Sequence, residues 1–174
     1  MIRNRDKLEK NIIDQIKEAQ LKLGFVRETM RLYYPVESVL GILEQSGSNC
    51  DLLCQELVKE FPDFSFKIRA ERVEVCVPPA YVEYVHQKVE TPVFLASLID
   101  QFQRHHHLDI EQIREIFSGF GTYICEKMPK GTDFDYVLYF RDSSIDEYYY
   151  CIRMEMGHTI YHRFLKSDYE QLLI

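Results

Sequence analysis

The chain has 174 residues, 46% of them hydrophobic, and its 21 Lys and Arg against 28 Asp and Glu give a net charge of −7. The apolar fraction is that of an average globular protein, which excludes global disorder. The acidic balance argues against nucleic acid and anionic membranes as partners, because phosphate contacts need clustered cations. The sequence has no run of about 18 apolar residues, so no membrane span is predicted.

The cysteines and the first residues predict a cytoplasmic location. Five cysteines, an odd number with no CxxC pair, indicate reduced thiols rather than a disulfide framework. Residues 1–10 are charged and lack the apolar core of a signal peptide. The cysteines are Cys50, Cys54, Cys76, Cys125 and Cys151.

Apolar residues that recur three and four positions apart predict three helices in the first third of the chain. The first helix ends at Gly24, which suits a C-terminal cap. Ser48 and Asp51 have the spacing of a capping box at the start of the third helix. The connector 25–34 receives no assignment. The predicted helices are residues 6–23, 35–45 and 51–61.

Strict alternation of apolar and polar residues over 64–77 predicts a β-hairpin. With a two-residue turn, Phe66 faces Val75 on the apolar side and Lys67 faces Glu74 on the polar side. The match of both faces fixes the register of this hairpin.

Three helices follow, and the period then changes to two from Thr122 onward. Short links between the last strands exclude parallel crossovers. The fold class is therefore α+β, with one hairpin in a helical first two-thirds and a C-terminal four-stranded antiparallel meander. We expect one compact domain over 1–174, with sub-units 1–90 and 91–174 as the alternative. The predicted elements are helices 80–89, 92–104, 109–117 and 167–173, and strands 123–127, 134–140, 147–156 and 159–164.

A shift of 56 residues aligns two stretches, 35–77 and 92–140, each with two helices followed by strands. Such tandem units resemble the helix-turn-helix and wing of winged-helix domains. A chance match between two amphipathic helix pairs is the alternative. The helices that would read DNA, 51–60 and 109–116, each carry three acidic residues against one basic residue. They fit protein contacts better than a groove lined by phosphates.

Two groups of residues have the composition of a metal site. Three consecutive histidines, 105–107, cannot converge on one ion if they are helical, because adjacent helical residues point about 100° apart. His105 with Asp109 is the remaining pair at helical spacing. Cys50 and Cys54 also have helical spacing, but no second pair of ligands accompanies them. No metal and no cofactor is predicted.

The C-terminal hairpin carries the best candidate site. A type II′ turn that begins at Gly157 would place Arg153 opposite His162. Glu155 would share that face, and Tyr149 would flank it. An acid, a cation and an imidazole together can bind an anionic ligand or transfer a proton. A solvated sheet face with alternating charges is the alternative.

Two segments, YYPVESVLGIL at 33–43 and GHTIYHRF at 157–164, resemble those of a family of small bacterial proteins of unknown function from gut clostridia. The resemblance implies a bacterial, intracellular protein. It implies no activity and supplies no catalytic residues.

The sequence is consistent with two different functions. The first is a non-catalytic protein-interaction or regulatory module, whose partner is another protein or a second copy of the chain. The second is a small-ligand-binding protein or enzyme that uses Arg153, Glu155 and His162, with the ligand unknown. The tyrosines at 148–150 favour the first. In a strand they point to both faces of the sheet, so either Tyr149 or its two neighbours meet solvent or a partner, and exposed tyrosine is typical of contact surfaces.

Overall fold

The computed structural model describes residues 2–47 and 49–174. The chain divides between Thr91 and Pro92 into two compact units, here called unit 1 and unit 2. The described residues form helices together with a three-stranded and a four-stranded antiparallel sheet, which confirms the α+β class. Among these helices, none combines the length and the apolar character needed to cross a membrane.

Unit 1 begins with a long amphipathic helix. Its buried stripe includes Leu8, Ile12 and Ile16, and Gly24 ends it in the left-handed conformation, as predicted. The elements of unit 1 are α1 (Arg5–Leu23), β1 (Met30–Pro35), α2 (Val36–Leu43), α3 (Cys50–Glu60), β2 (Ser65–Arg69), β3 (Arg72–Val77) and α4 (Pro79–Lys88).

The start of α3 is capped by Asn49, whose side chain accepts a hydrogen bond of 2.9 Å from the backbone N–H of Asp51. Ser48, predicted as the capping residue, lies outside the described residues. The third predicted helix is therefore present, and Asn49 serves as its N-cap.

The sheet of unit 1 has the strand order β1-β3-β2. The β2–β3 hairpin has the predicted register, with Phe66 opposite Val75 and Lys67 opposite Glu74. Strand β1 covers the end of the connector that received no assignment and also Pro35, which was predicted as the first residue of the second helix. It pairs with the other side of β3, where Leu32 faces Val75. Because β3 is the central strand, its apolar residues are almost fully buried.

Unit 2 begins with two helices packed on a sheet. Asp109 caps the second helix through a capping box with Gln112, in which each side chain accepts from the other residue's backbone N–H. The elements of unit 2 are α5 (Val93–Arg104), α6 (Ile110–Ser118), β4 (Tyr123–Lys127), β5 (Tyr136–Phe140), β6 (Tyr149–Glu155), β7 (His158–Phe164) and α7 (Lys166–Gln171).

The sheet of unit 2 has the order β4-β5-β6-β7, which confirms the predicted antiparallel meander. One face packs on α5 and α6, where Phe94 meets Phe140 and Tyr150 edge to face. The opposite face has a smaller apolar cluster that includes Val137, Cys151 and, from α7, Tyr169. Both faces of this sheet are therefore partly covered by helices.

Candidate functional site

The β6–β7 hairpin has a different register from the one predicted. Met156 and Gly157 both have positive φ, 50° and 75°, as the two central residues of a type I′ turn require. The predicted type II′ turn placed Gly157 first, whereas it occupies the second position. Arg153 consequently lies opposite Ile160 rather than His162.

The predicted polar cluster does not converge on one point. Arg153 and Glu155 form an ion pair of 2.6 Å between Nη2 and Oε2, and both side chains are partly exposed. His162 lies opposite Cys151 and contacts the rings of Phe134 and Phe164, with centroids 5.4 and 6.2 Å away. The three polar side chains do share one sheet face, as predicted. The register differs from the predicted one by two residues, and a shift of two leaves every side chain on the same face.

Tyr149, predicted to flank the cluster, belongs instead to an aromatic stack. Its ring lies parallel to that of Tyr139, with centroids 4.1 Å apart, and Tyr169 of α7 contacts its ring at 4.8 Å. Burial raises the pKa of the Tyr149 phenol, with further contributions from Glu170 and Glu126. A half-buried, stacked phenol anchors α7, and the ligand-binding role of Tyr149 stays a prediction.

The histidine and cysteine groups have separate surroundings. In residues 2–47 and 49–174, no group of three or more His, Cys, Asp or Glu side chains could hold a metal ion. His107 stacks on His158, with ring centroids 5.5 Å apart. Cys50 is exposed, whereas Cys54 is partly buried and its thiol contacts the carbonyl of Phe66 at 3.5 Å.

The outer side of α3 is an exposed surface with an unusual composition, which we call the α3 face. Leu52 and Val58 are 58% and 45% exposed, although the same helix buries Leu53 and Leu57. Within the described residues, neither Asp51 nor Lys59 of this face forms an ion pair. The α3 face consists of Asp51, Leu52, Gln55, Val58 and Lys59.

Residues 5–173 match the sequence model of a family described as "Domain of unknown function, E. rectale Gene description (DUF3877)". The chain belongs to this family. The resemblance to a family of unknown function from gut clostridia is thereby confirmed. Neither the curated proteins nor the solved structures contain a match to the chain.

Sequence reasoning missed three polar residues of this DUF3877 chain that are buried on α1. Asn11, Lys17 and Gln20 are 5%, 5% and 8% exposed. Gln20 continues the four-residue steps of the buried stripe that runs through Leu8, Ile12 and Ile16. A polar residue at the next position of an apolar stripe was the signal that could have identified it.

Proposed function

We propose that the protein is a non-catalytic interaction module that forms a homodimer through the α3 face. The observation that carries this proposal is the symmetric distribution of apolar and charged side chains on that face. Topology, charge and symmetry each support it.

The topology of unit 1 accords with a winged-helix arrangement. A helix, a strand, two helices and a hairpin follow one another, and the first strand pairs with the last, in the order β1-β3-β2. In this arrangement α3 corresponds to the second helix of a helix-turn-helix, the one that enters the DNA groove in DNA-binding proteins. The tandem-repeat interpretation of unit 2 stays a prediction.

The charge of α3 favours a protein over DNA as its partner. The helix carries three acidic residues and one basic residue. Phosphates on both sides of a groove would repel such a helix. Its exposed Leu52 and Val58 suit a surface that is buried on association.

The α3 face is complementary to itself. In a two-fold symmetric interface, residue i of one copy contacts residue j of the other, and j contacts i. If two α3 helices pack antiparallel with Gln55 at the two-fold axis, residues equally distant from Gln55 lie at the same height along the pair. Leu52 then lies level with Val58 of the other copy, and Asp51 lies level with Lys59. One alignment therefore brings each apolar side chain and each charge to the level of its complement.

The expected dimer is weak. A contact centred on one helix belongs to the small class of interfaces, below about 1,200 Å² of total buried surface. Exposed ion pairs contribute roughly 0–1 kcal/mol each, so most of the affinity must come from Leu52 and Val58. We expect a dissociation constant in the micromolar range, which places the monomer and dimer in a concentration-dependent equilibrium.

Sedimentation equilibrium over a wide concentration range tests the proposal. Leu52→Asp should abolish the dimer, whereas Val93→Asp, which changes an exposed apolar residue of α5, should leave it unchanged. A wild-type chain that stays monomeric at every concentration would contradict the proposal. So would equal dimerisation of the wild type and Leu52→Asp.

Charge reversal provides a sharper test of the alignment. Asp51→Lys alone and Lys59→Asp alone each bring like charges together and should weaken the homodimer. The double variant restores both ion pairs with opposite polarity and should recover the dimer. A mixture of the two single variants should form a heterodimer in preference to either homodimer. Equal populations of homodimer and heterodimer would exclude this alignment.

We further propose that the module is cytoplasmic. The five cysteines are free thiols, which accords with a reducing compartment. A structural disulfide detected by mass spectrometry in protein isolated from its own host would contradict this location.

A further inference from the structure

A cavity of about 240 Å³ lies between the C-terminal half of α1 and α4, entirely within unit 1. We call it the α1–α4 cavity. It suits a ligand smaller than a drug molecule, since drug-sized pockets span roughly 300–1,000 Å³. Its lining residues are Lys17, Gln20, Leu21, Gly24, Phe25, Val26, His86 and Thr91.

Lys17 supplies a buried cation to this cavity. Its ammonium donates a hydrogen bond of 3.3 Å to the backbone carbonyl of Val85, near the C-terminal end of α4. A lysine ammonium has three N–H donors. Within the described residues this is its one hydrogen bond, and it has no carboxylate partner there. Burial lowers the pKa of Lys17 below its ordinary value, as expected of a cation without a nearby counter-charge.

Gln20 supplies an unpaired acceptor. Its Nε2 donates to the backbone carbonyl of Val82 at 3.2 Å, which fixes the orientation of the amide. Its Oε1 is buried, and within the described residues it has no hydrogen-bond partner. Buried acceptors of this kind are nearly always paired in native proteins, so an N–H or O–H group from a bound molecule is expected here.

The remaining wall combines apolar and polar side chains. Leu21, Phe25 and Val26 line the cavity together with His86 and Thr91, and Phe25 is exposed despite its large ring. An apolar wall with a few fixed polar groups is typical of small-molecule sites. The cavity therefore requires three features of its ligand: an anion for Lys17, a donor for Gln20 and a short apolar chain for Phe25.

We propose that the α1–α4 cavity binds a small α-hydroxy acid with a short aliphatic chain. Its carboxylate accepts from Lys17, its hydroxyl donates to Gln20, and its chain contacts Phe25 and Val26. An α-amino acid fits less well, because its ammonium would bring a second positive charge close to Lys17. Ordered water could pair with Gln20, but it would leave the charge of Lys17 uncompensated. The proposal is independent of dimerisation, since no residue of the α3 face takes part.

Isothermal titration calorimetry with a matched set of compounds tests this ligand class. The reference probe is 2-hydroxy-4-methylpentanoate. The same acid without the hydroxyl, the neutral amide of the hydroxy acid, and leucine each change one feature. We expect the reference probe to bind and each of the other three to bind at least about tenfold more weakly. Absence of binding by the reference probe, or equal binding by all four, would overturn the proposal.

Protein variants locate the site. Lys17→Met removes the cation and keeps the length of the side chain, and it should reduce affinity for the reference probe by about tenfold or more. The matched control is Lys22→Met, an exposed lysine of the same helix that pairs with Glu18, and it should bind as the wild type does. Far-UV circular dichroism checks that both variants fold. If Lys17→Met does not fold, the comparison of the four compounds on the wild-type protein still tests the proposal. Wild-type affinity in a folded Lys17→Met protein would place the ligand elsewhere.

Discussion

Tyr139 and Tyr149 stack in parallel on neighbouring strands of unit 2, with their ring planes 11° apart and their centroids separated by 4.1 Å. Tyr169 of α7 extends this stack on the side of Tyr149. Burial raises the pKa of all three phenols. The stack therefore attaches the C-terminal helix to the sheet through ring contacts between neutral phenols.

Removing the central ring should destabilise unit 2. Tyr149→Ala deletes contacts with both neighbouring rings, and we expect a loss of about 2–4 kcal/mol in the free energy of unfolding, measured with urea. Tyr149→Phe keeps the ring and should stay within about 0.5 kcal/mol of the wild type. Equal stability of the two variants would mean that the stack does not hold α7.

A pair of glycine substitutions should change stability in opposite directions. In Gly157→Ala the new Cβ would lie 3.3 Å from the His107 ring at a φ of +75°, and we expect a loss of about 1 kcal/mol. Gly41 lies within α2, and a Cβ there meets no atom within 4 Å. Gly41→Ala should therefore stabilise the protein by about 0.5–1 kcal/mol. Thermal unfolding of both variants measures the two effects, and a stabilising Gly157→Ala would contradict the type I′ turn.

The buried thiol of Cys151 should make stability depend on alkaline pH. Burial raises its pKa from 9.0 to about 12, so the folded protein keeps the proton that the unfolded chain releases. Its contribution is complete below pH 9 and is lost as the pH rises from 9 towards 12, by about 1.4 kcal/mol per unit. Urea unfolding at pH 8, 9 and 10 measures this slope.

Cys151→Ala provides the control for this pH dependence. Burial also raises the pKa of the Tyr150 phenol, so this phenol lowers stability above pH 10 by ionising in the unfolded chain. Tyr150 is present in both proteins and contributes equally to both. The variant should therefore lose less stability than the wild type between pH 9 and 10. The same slope in both proteins would show that the Cys151 thiol ionises equally in the folded and unfolded states.

The exposed ion pair between Arg153 and Glu155 on β6 should contribute little to stability. Exposed pairs are worth roughly 0–1 kcal/mol, so we expect Arg153→Ala and Glu155→Ala to stay within about 0.5 kcal/mol of the wild type in thermal unfolding. A loss above about 2 kcal/mol in either variant would show that the pair has a structural role that its exposure does not indicate.

The two strand pairings of unit 1 show what the sequence could predict. The β2–β3 hairpin was predictable in register because its strands are joined by a short turn and alternate in step, down to Lys67 opposite Glu74. Strand β1 was not predictable, because its partner β3 is distant in sequence and because Pro35 at its end suggested a helix start. Local alternation identifies a hairpin, whereas a long-range pairing depends on tertiary contacts.

The candidate site of unit 2 was predicted in part for a related reason. Alternation correctly assigned Arg153, Glu155 and His162 to one sheet face. Their pairing depended on the turn, and a single glycine is compatible with either hairpin turn type. Met156 adopts a positive φ that its side chain does not favour, so the sequence around Gly157 indicated the wrong turn.

The position of β2 at one end of its sheet has a consequence for aggregation. Among the strands that the structure describes, none pairs with the outer side of β2, and such an edge is a template for the addition of strands from other molecules. The exposed Lys67 and Arg69 project from β2. A second copy of the same strand that added in parallel register would bring like charges together, so the edge discourages the growth of fibrils from partly unfolded chains.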